Sequence, residues 1–162
     1  MRLPGSCYDT GMKTEKELQT LLAQIPPADV DLVFESEAES FFSDGKMFAK
    51  YFRTVIRSKH LTQKKVFETA QIPEHFGYKL IAQEVQTRQR DTLLRLFYSA
   101  AFTFEEANTA LAIYGLPALY ARFPRDAALI AAFNVTWASM DDLNSYLQDL
   151  GFDELRPCGG TG

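Results

Sequence analysis

The C-terminal half of the chain contains one helical pattern twice, at an offset of 36 positions. The first copy opens with residues 103–106 and the second with residues 139–142, and each places a hydroxyl residue three positions before an acid. Such a pair forms a capping box, and acids in a first turn also complement the helix dipole. Gly115 and Gly151 suit the left-handed position that ends a helix. The pattern therefore predicts a capped helix at the same place in each copy.

Two further features belong to this repeat. An Arg-Asp pair precedes each copy, at residues 90–91 and 125–126. Leu119 and Leu155 stand at equivalent positions after the two glycines, where they can fold back on the helix just ended. Two copies are too few for a solenoid, which generally needs three or more to bury a continuous core. We therefore expect two helical hairpins within residues 102–156.

Helical spacing also dominates the rest of the chain. The 162 residues are 46% hydrophobic and 13% aromatic, which is enough for a substantial core without disulfides or metals. Strand signals are weak, and the runs rich in Phe, Leu and Ala keep helical spacing. Apolar residues follow the stripe of an amphipathic helix at Phe48, Tyr51, Phe52, Val55 and Ile56. The sequence thus predicts an all-α fold in one compact helical domain.

Charge is distributed unevenly along the chain. Eleven of the seventeen basic residues but only four of the twenty-one acids lie between Lys46 and Arg95, so this basic segment carries +7 in a chain of net charge −4. Lys and Arg that neutralise phosphates release condensed counterions, so such a segment is where a polyanion would bind. A solvated face is the commoner explanation of a charge run in general. The sequence inside the segment favours the polyanion.

Two short helices around a tight turn are predicted inside the basic segment. Thr62 can cap the first helix, on which Val66 and Ala70 fall four apart on one face. Pro73 disfavours continuation of that helix and suits the first turn of the next, whose leading N–H groups lack intrahelical partners. The amphipathic helix before them, over residues 48–56, is expected to pack against the pair.

A glycine in the middle of the second helix needs its own explanation. Gly77 costs about 1 kcal/mol relative to Ala at such a position unless another group approaches the backbone closely. We therefore expect Gly77 to face the first helix, with Tyr78 anchoring the other side.

This segment resembles the Xre/Cro-type helix-turn-helix family of bacterial and phage regulators. The resemblance depends on the opening Leu61-Thr62-Gln63 and on the aromatic-Gly-Tyr signature at residues 76–78, and it is ungapped from residue 61 to residue 83. Residues 119–126 and 142–151 are similar to the helical tail that one group of small regulators adds. The resemblance implies a helix-turn-helix unit over residues 46–101, with its recognition helix at about residues 73–81, and double-stranded DNA as partner.

The DNA-contacting residues that the resemblance implies lie on the two helices, beside them, or in the loop that follows. They are Lys64, Lys65, His75, Lys79, Gln83, Arg88 and Arg90.

The chain departs from the family pattern at two positions. Gln71 stands where the family usually has Gly, which costs about 1 kcal/mol if that position is left-handed. Glu74 stands at the start of the recognition helix, where a carboxylate would repel a phosphate. We therefore expect DNA binding to be electrostatic first and sequence-specific second.

The first 45 residues are interpreted as an N-terminal tail with acidic helices. Residues 14–17 look like a capping box that opens a helix through Ile25, stopped by the prolines at 26–27. Residues 34–43 alternate acids with phenylalanines and are expected to form an acidic amphipathic helix, packed on the core or binding a partner. Residues 157–162 are interpreted as a C-terminal tail.

These features favour a DNA-binding transcriptional regulator. The alternative is a helix-turn-helix-derived module that binds protein, such as a phage-encoded inhibitor or adaptor. A homodimer through the C-terminal hairpins is expected, because two DNA half-sites require a symmetric pair. Trp137, Tyr146 and Phe152 supply aromatic area of the kind enriched at interfaces.

Neither catalysis nor cofactor binding is expected from the sequence. It contains no G-x-S-x-G, P-loop or dinucleotide-binding motif. His60 and His75, with Cys7 and Cys158, lack the spacing of metal ligands. No apolar run approaches the roughly 18 residues of a membrane span, and no signal peptide is visible, so we expect no membrane association and a cytoplasmic location.

Overall fold

The structure, a computed structural model, describes residues 12–42, 45–135 and 139–157. These residues form nine α-helices and two short 3-10 helices, which confirms the all-α prediction. The chain divides into two units, Met1–Asp44 and Gly45–Gly162, whereas the sequence led us to expect one compact domain. The division lies next to the expected end of the N-terminal segment.

Helix α1 of the first unit spans Glu15–Leu22. The expected capping box is present: the Thr14 hydroxyl accepts a hydrogen bond from the Glu17 backbone N–H at 3.1 Å, and the Glu17 carboxylate accepts one from the Thr14 N–H at 2.9 Å. The helix ends at Leu22 rather than at the expected Ile25, before a 3-10 turn that begins at Pro27.

The acidic helix of the first unit differs from the sequence prediction. Helix α2 spans Val30–Ser36, and a separate 3-10 turn follows at Ala38–Ser40, where one helix over residues 34–43 was expected. The turn brings Phe41 back to Phe34, with the two rings edge to face and their centroids 5.0 Å apart. A continuous helix would have carried these rings apart, so the aromatic contact favours the break.

Seven helices follow within the described part of the second unit. Its core contains a cluster of phenylalanines that are at most 1% exposed, from the third helix, the sixth helix and the connection after the sixth: Phe48, Phe52, Phe97 and Phe102. Phe97 stacks on Phe102 with ring centroids 5.0 Å apart. The helices are α3 (Met47–Ser58), α4 (Gln63–Ala70), α5 (Glu74–Ile81), α6 (Arg90–Ser99), α7 (Phe104–Tyr114), α8 (Pro124–Ala132) and α9 (Met140–Asp149).

Helices α4 and α5 are the two short helices that the sequence predicts around a tight turn. Thr62 caps α4 as expected, because its hydroxyl accepts a hydrogen bond from the Lys65 N–H at 3.2 Å. The turn closes with the Ile72 N–H donating to the Phe67 carbonyl at 3.0 Å. Pro73 is the N-cap of α5 and so lies just before the first turn in which it was expected.

Gln71 in this turn is left-handed, with φ of 58° and ψ of 43°. Its side chain offsets part of the strain. The Gln71 Oε1 atom accepts a hydrogen bond from Arg95 Nη2, and its Nε2 atom donates to Asp141 Oδ1, both at 3.2 Å. A glycine would lack both bonds, so the departure from the family pattern links the turn to α6 and α9.

Gly77 faces α4, as expected from its place in mid-helix. A Cβ atom added at Gly77 would lie 2.6 Å from two ring atoms of Phe67. Tyr78 contacts the same ring edge to face, with centroids 5.0 Å apart. The contact between α4 and α5 therefore depends on a glycine that lets the backbone approach the Phe67 ring.

We expect the substitution Gly77→Ala to lower the melting temperature. Phe67 is 1% exposed and cannot move away cheaply, so overpacking should cost about 1–3 kcal/mol. Alanine recovers only about 1 kcal/mol of helix propensity. Thermal unfolding followed by circular dichroism checks this, with Gly45→Ala as control because no atom lies within 4 Å of a Cβ there. A Gly77→Ala melting temperature above that of the wild type would refute close packing.

The two C-terminal hairpins are α6–α7 and α8–α9, so the first begins at Arg90 and not within the expected residues 102–156. Both carry the predicted caps. Thr103 and Ser139 each accept a hydrogen bond from the residue three positions on and complete a capping box. Gly115 and Gly151 are left-handed, with φ of 96° and 84°. The loop after each hairpin returns to it: an Asn side chain on the second helix accepts a hydrogen bond from the Leu119 or the Leu155 N–H, and both leucines are buried.

The Arg-Asp pairs join the two hairpins crosswise. Arg90 donates to both carboxylate oxygens of Asp126, and Arg125 donates to both carboxylate oxygens of Asp91, at 3.1 Å each. Each arginine also donates to carbonyls in the loop that follows its own hairpin. Each aspartate also accepts a hydrogen bond from a backbone N–H in the loop that follows the other hairpin. Such reciprocal contacts are those of two units related by a two-fold axis.

We call these four residues the crossed Arg-Asp clasp. Because a two-fold contact uses the same surface on both partners, it is closed, and a third hairpin cannot join it in the same way. This explains why two copies form a stable pair although a solenoid would need more.

Candidate nucleic-acid interface

Three cations of the basic segment form ion pairs or hydrogen bonds within the fold. Lys59 forms an ion pair with Glu106 at 2.7 Å. Arg95 is 2% exposed, and it donates to the carbonyls of Ala70 and Leu155. Arg90 belongs to the crossed Arg-Asp clasp. The charge count of the segment therefore overstates the cations that a partner could reach.

Arg90 was expected to contact DNA from a flanking loop, and the structure corrects this. It is the first residue of α6, and its guanidinium is held by Asp126 and by the carbonyls of Pro117 and Ala118. Contact with a phosphate would require breaking this bidentate pair. A sequence alone does not show that the cation has an internal carboxylate partner.

Two of the expected contact residues lie at the start of α4 and are exposed. Lys64 and Lys65 are the second and third residues of the helix, and neither forms an ion pair with any described residue. The first N–H groups of a helix have no intrahelical partner, and the helix dipole is positive there. Both features favour an anion at this end of α4.

A second group of cations lies on α3 and was not among the predicted contact residues. Lys50, Arg53 and Arg57 are exposed, and their i, i+3, i+7 spacing places them on one side of the helix. None of the described residues forms an ion pair with these three side chains. The sequence could have indicated these three exposed cations, because they fall between the apolar positions of the α3 stripe.

Arg53 and Arg57 meet the start of α4 at a depression of about 180 Å³. Its other lining residues include Leu61, Thr62 and Gln63, which lead into α4. Guanidinium groups bind phosphate oxygens in a bidentate manner. Two guanidinium groups beside a helix N-terminus therefore form a surface suited to a phosphate group.

Helix α5 presents a mixed surface. His75 is exposed and Lys79 is partly exposed, so both expected contact residues are accessible. Glu74 is exposed in the first turn, and Tyr78 is 41% exposed beside Phe67. The outer side of α5 thus carries one carboxylate and one aromatic ring among few hydrogen-bond donors.

The remaining expected contact residues follow α5. Gln83 is partly buried in a left-handed conformation with φ of 58°, and Arg88 is exposed in the connection to α6. Tyr114 holds this connection, since its hydroxyl accepts a hydrogen bond from the Thr87 N–H at 3.0 Å. Burial raises the pKa of Tyr114, although that hydrogen bond opposes the shift. The phenol therefore stays protonated and structural at neutral pH.

The three residues that were expected at a dimer interface differ in how exposed they are and in whether the structure describes them. Tyr146 is 36% exposed, and its hydroxyl donates to the Ala128 carbonyl at 3.1 Å. Phe152 is partly buried in the loop after α9. Trp137 lies outside the described residues, as do Cys7 and Cys158.

The described residues show neither a metal site nor a membrane-spanning helix. No group of three or more His, Cys, Asp or Glu side chains in that part of the chain has the arrangement of a metal site. None of the helices in the described ranges is long and apolar enough to cross a membrane. Comparisons with models of known protein families, with curated proteins and with solved structures found no match for this chain.

Proposed function

We propose that this protein binds double-stranded DNA through α3, α4 and α5 and acts as a cytoplasmic transcriptional regulator. One observation carries the proposal: α4 and α5 are two short helices joined by a tight turn, and exposed cations without an ion pair to any described residue surround the start of α4. The resemblance of residues 61–83 to the Xre/Cro-type family supports it.

In this proposal the start of α4 binds the phosphate backbone. Arg53 and Arg57 approach one phosphate at the depression beside Thr62, and Lys64 and Lys65 approach its neighbours. Contacts of this kind fix the position of a protein on a duplex but carry no sequence information. The major groove would receive α5, with His75 and Lys79 as hydrogen-bond donors.

We expect the affinity for duplex DNA to fall steeply with salt. If about six phosphates are neutralised, the logarithm of the association constant should fall against the logarithm of salt concentration with a slope near −5. Because α5 offers few donors, random and selected sequences should differ little in that slope. Fluorescence anisotropy with a labelled duplex at several salt concentrations measures it. Failure to bind at the lowest salt concentration would remove the DNA proposal.

The second candidate function is binding to a protein partner. The exposed Glu74 in the first turn of α5 favours it, because that carboxylate occupies the place where a DNA-binding helix would accept a phosphate. Tyr78 beside it is an aromatic residue of the type enriched at protein interfaces. Under this alternative the protein would be an inhibitor or adaptor, and the anisotropy experiment would show negligible DNA binding at every salt concentration.

A further inference from the structure

A cavity of about 230 Å³ lies in the second unit, between α6, α8 and α9. Its wall is mostly apolar and includes Ala132, Val135 and Leu143. Val135 is exposed whereas Leu143 is 2% exposed, so the cavity runs from the surface into the core. An engineered protein cavity of about 150 Å³ binds benzene, so this one is large enough for a substituted aromatic ring.

Two tyrosine rings in the wall are held in place by contacts outside the cavity. The ring of Tyr98 packs edge to face on Phe133, with centroids 5.6 Å apart. Tyr146 is fixed by the hydrogen bond from its hydroxyl to the Ala128 carbonyl at 3.1 Å. Because neither ring must be ordered by a ligand, binding would lose little side-chain entropy there.

One carboxylate, that of Asp142, completes the wall. Its Oδ2 atom accepts the capping hydrogen bond from the Ser139 N–H at 3.3 Å. Within the described ranges, Oδ1 accepts no hydrogen bond and Asp142 forms no ion pair. Burial, and after it the charge of Asp142, raises the pKa of Tyr98, because both disfavour the phenolate.

We propose that this cavity is a binding site for a small organic cation, an ammonium group carried on one aromatic or branched aliphatic body. The apolar body would fill the cavity, and the ammonium would lie against the Asp142 carboxylate, near the two tyrosine rings of the wall. Cations bind well at such positions because a carboxylate and an aromatic face both attract them. An anion would be repelled by the charge of the exposed Asp142, and a neutral molecule would form no ion pair with that carboxylate.

Benzylamine and benzyl alcohol test the proposal on the full chain, because they share one shape and differ in charge. Titration followed by amide chemical shifts should place benzylamine at α8 and α9, with an affinity at least about fivefold above that of benzyl alcohol. Equal affinities for the two ligands would overturn the proposal, and so would the absence of benzylamine binding at millimolar concentration.

Three variants locate the site. Asp142→Asn keeps an acceptor for the Ser139 N–H but removes the charge, so it should reduce benzylamine affinity to that of benzyl alcohol. Asp141→Asn removes the same charge one residue away, outside the cavity, and should leave the affinity within about twofold of the wild type. The exposed Ala131 lines the mouth, and Ala131→Phe should abolish binding of both ligands. Equal losses in Asp141→Asn and Asp142→Asn, or unchanged binding in Ala131→Phe, would overturn the proposal.

Discussion

Replacing Asp126 by alanine is expected to lower the free energy of unfolding by about 3–5 kcal/mol, because it leaves a partly buried arginine without its carboxylate. Asp126 is 4% exposed, and it accepts two hydrogen bonds from Arg90 and one from the Tyr120 N–H. After the substitution the Arg90 Nη2 atom and the Tyr120 N–H lose their acceptor, and Arg90 Nη1 keeps only the carbonyls of Pro117 and Ala118. Urea denaturation measures the change.

Two control variants make the result specific to the crossed Arg-Asp clasp. Asp153→Ala removes an exposed carboxylate from the loop after α9 and should change stability by less than about 0.5 kcal/mol. The double variant Arg90→Ala with Asp126→Ala should be more stable than Asp126→Ala alone, because it no longer contains an unpaired buried charge. A loss in Asp126→Ala no larger than that of the Asp153 control would show that the clasp contributes little.

The ends of α7 and α9 were predictable from sequence because they depend on neighbours along the chain. Three signals act within one helix: a hydroxyl residue at 103 or 139, an acid three positions later, and a glycine at 115 or 151. The structure contains the capping boxes and the left-handed glycines that they predict. The same is true of Gly77, whose cost in mid-helix already required a close neighbour. Local chemistry settles such features without knowledge of the tertiary fold.

The crossed pairing of the Arg-Asp clasp could not be predicted in the same way. The sequence shows two Arg-Asp dipeptides, but only the packing of the hairpins decides that Arg90 pairs with Asp126 rather than with a phosphate. Arg95 was likewise counted with the surface charge and proved to be buried, linking α6 to the turn after α4. Charge counts therefore located the basic segment but not the cations that remain accessible.

Accessible cations on α3 were missed for a related reason. The resemblance to the helix-turn-helix family predicts contact residues on α4, on α5 and in the loop beyond. Arg53 and Arg57 precede that motif in the chain, and only the packing of α3 beside the start of α4 brings them to the same depression. The candidate interface is consequently centred on the start of α4 rather than on α5 alone.

Reversing both of these charges should reduce DNA affinity by about three orders of magnitude. Each substitution, Arg53→Glu and Arg57→Glu, removes one phosphate contact and adds repulsion, together worth about 2 kcal/mol per residue. Both side chains are exposed, so the fold should be retained, which circular dichroism would verify. The matched control is Lys16→Glu with Arg122→Glu, which makes the same change in net charge at exposed residues outside α3–α5.

The most direct measurement is the dissociation constant for one labelled duplex at low salt, compared between the wild type, the Arg53→Glu, Arg57→Glu double variant and the matched control. The proposal predicts that the double variant binds about a thousandfold more weakly than the wild type while the control stays within about tenfold. Equal weakening in the double variant and the control would mean that net charge alone attracts the DNA, and would contradict a binding surface at the start of α4.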